Sequence, residues 1–119
     1  MKLTLEQAVL GYSALQRIGN EKFPIKISYE LQRNMRILQP DVEHYEEKRI
    51  ELIKTSYGVQ GENDTWAVPP EKLEEFSKEL KVLGSIDLSL DIHTINIDTI
   101  NINIAPNDLF VLEWMFVTS

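Results

Sequence analysis

From Ile27 the chain carries apolar residues at Ile27, Leu31, Met35, Leu38, Val42 and Tyr45, then Arg49, Leu52 and Ser56, in steps of 4, 4, 3, 4, 3, 4, 3 and 4. That is the period of one face of an α-helix. The phase survives Pro40, which should disfavour helix at Gln39 and clash with the preceding turn. Two readings follow: one helix from about Pro24 to Tyr57, kinked at Pro40, or two helices broken there with Asp41 near the second start. The unbroken phase favours the first. Such a helix spans about 50 Å at the usual rise per residue. A chain of 119 residues makes one domain, residues 1–119, with a modest core. Little of it is left to cover a rod of that length, so the rest of the seam is expected to pack on another copy or a partner.

The preceding stretch, LTLEQAVLGYSALQRIGN, reads as a second helix. Thr4 and Gln7 have the spacing of a capping box. Ala8, Tyr12, Leu15 and Ile18 form its stripe, and Gly19-Asn20 stop it. Pro24 stands where a first-turn proline belongs. Tyr57-Gly58 reads as a C-cap, and Val59 and Trp66 flank a turn-rich segment suited to a small hairpin. PPEKLEEFSKELKVLG is a further helix with stripe Leu73, Phe76, Leu80 and Leu83, closed by Gly84. The helical part thus runs over residues 4–83.

A β-element is expected over 86–104. SIDLSLDI alternates, with Ile86, Leu88, Leu90 and Ile92 on one face and Asp87, Ser89 and Asp91 on the other. The isoleucines that follow, Ile95, Ile97, Ile100, Ile102 and Ile104, change face at His93-Thr94 and again at Asp98-Thr99. Fewer than three five-residue units are present, too few for a β-solenoid. Two strands, about 86–92 and 95–104, with a bulge or turn between them, fit better. A C-terminal helix over 106–117 starts at Pro106 and places Leu109, Leu112, Met115 and Phe116 at helical spacing. It is apolar on more than one side, as a buried or interface helix is. The class is α+β: a helical hairpin with one long helix, a further helix, a small β-element and a C-terminal helix.

Charge is sorted along the chain. Residues 1–40 carry six basic side chains (Lys2, Arg17, Lys22, Lys26, Arg33, Arg36) and three acidic ones, whereas 84–119 carry five acidic and none basic. A basic front and an acidic back suit mating within the fold or between subunits. With a net charge of −7, sequence-specific DNA binding is not expected. There is no cysteine, hence no disulfide or thiol chemistry. Apolar runs are too short for a membrane span. MKLTLEQAVLGY carries Glu6 and lacks a long apolar core, so no signal peptide is expected and a cytoplasmic location follows.

Signatures of catalysis are missing from the pattern: no G-x-S-x-G elbow, no glycine-rich phosphate loop. Asp41, His44 and Glu47 share a helix face as di-metal ligands do, but no second histidine-bearing helix completes such a site. Asp87, Asp91 and Asp98 lack the glycine turn of a calcium loop. The expectation is no catalytic residue, no metal and no cofactor. Arg49 is the odd charge, occupying the seam where a hydrophobe belongs; it must pair, reach solvent, or fix register between subunits. Candidates for interaction are Arg49 and Tyr45 on the seam, Lys26, Arg33 and Arg36 among the cations, and Trp114 in the apolar tail.

The stretch FPIKISYELQRNMRILQPDVEHYEEKRIELIKTSYG has the cadence P-x-K-x-x-Y-x-L, then E-x-x-R-x-x-L-I-K, then YG. A turn-rich loop, an EEF…EL helix and a tail I-x-P-x-D-L-x-x-L follow. Over residues 20–116 this resembles a family of small proteins of unknown function encoded by phages and prophages of Gram-positive bacteria. The chain departs from that pattern at Pro40 and in the isoleucine-rich strand. The resemblance implies a phage gene acting in a host cell and supplies no catalytic residue. Together these features predict a non-enzymatic phage accessory protein, a homo-oligomer and specifically a dimer, that binds and blocks or sequesters a host factor, as anti-defence proteins do. A virion assembly role and a sponge for a small anionic nucleotide are the alternatives. The sponge requires Arg17, Lys22, Lys26, Arg33 or Arg36 to gather in a pocket between subunits.

Overall fold

The computed structural model describes residues 1–100 and 103–118. Strand β1 (Lys2–Thr4) leads directly into helix α1 (Leu5–Ile18). The capping box forms as the spacing requires: the Gln7 amide donates to Thr4 Oγ1 at 3.1 Å, and the Thr4 amide donates to Gln7 Oε1 at 2.8 Å. Two of the helix's orphan amides are thereby satisfied. Ala8, Leu15 and Ile18 of the expected stripe are buried, and Tyr12 packs half-buried beside them.

Helix α2 (Ile25–Leu52) folds back along α1 to make the helical hairpin, and it continues through Pro40 without a break. A π-helical turn, Ile53–Tyr57, ends it. Gly58 caps it as the sequence suggests, its amide donating to the Ile53 carbonyl, with φ −91° and so in extended rather than left-handed backbone. A Cβ there would lie 2.3 Å from the Ile53 carbonyl oxygen, and the close return of the chain is what requires glycine. Strands β2 (Val59–Gln60) and β3 (Trp66–Ala67) form the small antiparallel hairpin, with Asn63 and Asp64 at positive φ in its loop. Helix α3 (Pro70–Gly84) buries Phe76, whose ring meets Tyr57 at 5.8 Å. Leu73, expected on its buried stripe, is exposed.

The β-element is more broken than alternation implies. Strand β4 (Asp87–Ser89) pairs antiparallel with β1, a strand that three residues of sequence are too short to announce. Leu88, Leu90 and Ile92 pack on the core as expected, while Ile86 is exposed. The continuous strand expected over 95–104 is replaced by β5 (Ile95–Asn96) and a 3₁₀ turn, Ile97–Thr99. The Asn96 side chain accepts the Asp98 amide at 2.9 Å and turns the chain, which absorbs one of the two phase slips. Ile102 lies outside the described residues.

The C-terminal helix also differs from expectation. Helix α4 spans Pro106–Val111 only; a turn over 112–115 follows, then β6 (Phe116–Val117), parallel to β5. Leu112 and Met115 are fully buried, so the apolar spacing marks the right residues. One helical turn followed by a tight turn serves that spacing as well as twelve helical residues would. The β-branched and aromatic pair Val117 and Phe116 completes a ladder with β5 instead.

The core lies between α1, the first half of α2 and the α4–β6 segment: Leu15, Leu31, Leu38, Ile95, Leu112 and Met115 meet there. Burying each such side chain contributes about 1.5–3 kcal/mol. The second half of α2 is covered more thinly, with Val42, Tyr45 and Leu52 half-buried. No described helix is long and apolar enough to cross a membrane.

Candidate interaction surfaces on the long helix

One clamp ties α2 to the loop before β5, and a second ties α1 to α4. Asn34 falls on the inner stripe between Leu31 and Leu38 and is completely buried. Its Nδ2 donates to the His93 carbonyl at 2.9 Å, and its Oδ1 accepts the His93 amide at 2.8 Å. A side-chain amide thus pairs with the extended loop as a neighbouring strand would, at the point where the isoleucines first change face. Arg17 of α1 grips α4 from the other side, with Nε 2.8 Å and Nη2 2.7 Å from Oδ1 of the nearly buried Asp108. Sequence reasoning placed Met35 rather than Asn34 on the seam; the signal was a polar residue in core phase.

With α2 held this way, an open cleft of about 450 Å³ lies between the end of α1 and the start of α2. Leu15, Phe23, Ile25, Tyr29, Leu31 and Met35 give it apolar walls, and Glu21, Ser28 and Gln32 line its polar side. Ile25 is 89% exposed and Tyr29 57% exposed at its lip. Large apolar side chains left in water at the mouth of an apolar cleft are the usual mark of a docking site.

The other predicted candidates take separate places. Arg33 stacks over the Tyr29 ring at 5.8 Å, beside the cleft. Lys26 lines a different cleft of about 370 Å³ with Glu30, Thr94, Asn96 and Thr99. Arg36 is exposed on the outer side of α2. Arg17 is engaged by Asp108, so these cations address different neighbours within one chain. Arg49 pairs with Glu46 on its own helix, Nη2 to Oε2 at 2.9 Å, with both side chains part-exposed. The local pair satisfies the guanidinium without a subunit contact. Tyr45 lines a small cleft of about 180 Å³ with Val9, Leu10 and Leu80. Burial first, then the neighbouring Glu46 charge, raises its hydroxyl above tyrosine's ordinary 10.0, against the pull of Arg49. Trp114 is built into the fold: its ring lies over Gly11, where a Cβ would come within 2.6 Å of it. Its Nε1 is buried with no hydrogen-bond partner among the described residues.

No family, curated protein or solved structure matches the chain. The geometry therefore bears the functional reading. Among the described residues no three His, Asp or Glu side chains are grouped as metal ligands, and His44 is exposed.

Proposed function

We propose that the chain is a non-enzymatic binding protein, a phage or prophage accessory factor, that acts as a homo-oligomer and blocks or sequesters a host molecule. The observation that carries the reading is the cleft at the start of α2, with Ile25 and Tyr29 left in water at its lip. An apolar lip of this kind costs solubility unless something covers it. The phage setting is supported by the resemblance of residues 20–116 alone. The lining is apolar with a polar margin, which suits an apolar side chain of a protein partner better than a phosphate.

The test is affinity capture from lysate of a Gram-positive host, with mass spectrometry of retained proteins and small molecules. Wild-type chain and an Ile25→Asp, Tyr29→Asp variant are compared as baits. The expected result is one host component held in stoichiometric amount by the wild type and released by the variant. Equal retention on both baits, or none on either, contradicts the reading.

A further inference from the structure

The outer stripe of α2 lies half a turn from Leu31 and Leu38, with Arg33, Arg36, Pro40, Glu43 and Glu47 along it, all exposed. Charge on this stripe is sorted by position, basic in the first half and acidic in the second. Elsewhere on the helices opposite charges pair locally, as Arg49 with Glu46, Lys48 with Glu51 and Lys78 with Glu74. Among the described residues Arg33, Arg36, Glu43 and Glu47 take part in no ion pair. Like charges instead sit three and four residues apart, a spacing that weakens an isolated helix. A lone helix gains nothing from this pattern.

An antiparallel pair of such helices gains from all of it. We infer that a second copy of this chain docks along the outer face of α2, antiparallel, with the two-fold axis beside Pro40. In that register Arg36 meets Glu43 of the second copy, Arg33 meets Glu47, and the exposed Tyr29 meets the exposed Ile50. Each contact occurs twice by symmetry. A parallel pair would set like charge on like, and the antiparallel one also opposes the two dipoles. This rests on the homo-oligomer proposed above and gives it a surface and a geometry. The strip is narrow compared with stable interfaces, so the association is transient and falls with added salt.

The test uses charge reversal at these exposed positions. One variant carries Arg33→Glu and Arg36→Glu, the other Glu43→Arg and Glu47→Arg; circular dichroism checks that each folds. Light scattering at low salt is expected to show wild-type chain rising above its 13.8 kDa protomer mass with concentration. Each variant alone stays a protomer, because every inter-copy pair becomes repulsive. The equimolar mixture associates, because every pair between the two variants is then attractive. If a double reversal unfolds, Arg36→Glu and Glu43→Arg take its place in the same mixing design. Wild type that associates while the variants do likewise overturns the surface and leaves the homo-oligomer standing. Variants that stay protomers and fail to associate when mixed overturn the antiparallel register. Wild type that stays at the protomer mass to near-millimolar concentration overturns both.

Discussion

Asn34 shows how one polar residue in core phase organises the loop that periodicity cannot describe. Both hydrogen bonds to His93 are made inside the protein, where an unpaired amide or carbonyl is costly. Asn34→Leu leaves both His93 backbone groups without their partner, and a loss of about 1–3 kcal/mol is expected from the urea midpoint. Hydrogen exchange at the His93 amide should speed up in parallel. Gly11 is the second such residue. Glycine inside a helix weakens it, and here it makes room for the Trp114 ring. Gly11→Ala forces that ring away from α1, and an overpacking loss of about 1–3 kcal/mol is expected in the same measurement. Tyr45 adds a pH term. Its raised pKa means that the folded chain holds the proton more tightly than the unfolded one. Its contribution is complete below the ordinary tyrosine value and is lost as pH rises through the folded value. The urea midpoint should therefore drop on the alkaline side, and Tyr45→Phe should flatten that drop. The roles of Asn34 and Gly11 were not legible from residue type, because each depends on a neighbour distant in the chain; the acidic neighbour of Tyr45 is in the sequence, but its burial beside α1 and α3 is not.

At the scale of elements, α2 was legible because a long helix repeats its signal many times, and Pro40 changed none of the spacing around it. Proline removes one backbone donor and crowds the preceding turn, yet the packing of Leu31, Leu38 and Val42 on either side outweighs that local cost. Pro40→Ala restores a donor for the Arg36 carbonyl, so a gain of about 1–3 kcal/mol is expected from chemical denaturation. The short elements read poorly for the opposite reason. Strands of two and three residues, such as β5, β6 and β1, hold too little sequence for a period, and their partners are set by tertiary contacts. The C-terminal segment gave the right buried residues, Leu112 and Met115, in the wrong element. At the cleft, no periodicity singled out Phe23, Ile25 and Tyr29, which lie off the α2 stripe that begins at Ile27. The fold gathers them, with Leu15 of α1 and Leu31 and Met35 of α2, around one cleft.

For the whole molecule, the basic front and acidic back meet within the fold at Arg17–Asp108, while the outer stripe of α2 carries a separate charge sorting of its own. The elongated body, 49 × 30 × 23 Å, presents α2 as a rod with its inner face in the core and its outer face in water. The cleft proposed for binding and the outer face proposed for pairing lie on different flanks of that rod and share Tyr29. The pairing claim is tested most directly by distance. The chain has no cysteine, so a single cysteine placed at position 26 or 44 carries the only spin label in each copy. Dipolar spectroscopy on concentrated, low-salt samples then measures label to label across the dimer. An antiparallel pair centred beside Pro40 predicts labels about 40 Å apart for Lys26→Cys and within about 20 Å for His44→Cys, from the rise per residue of a helix. Similar short distances at both positions, or no dipolar coupling at either, would contradict it.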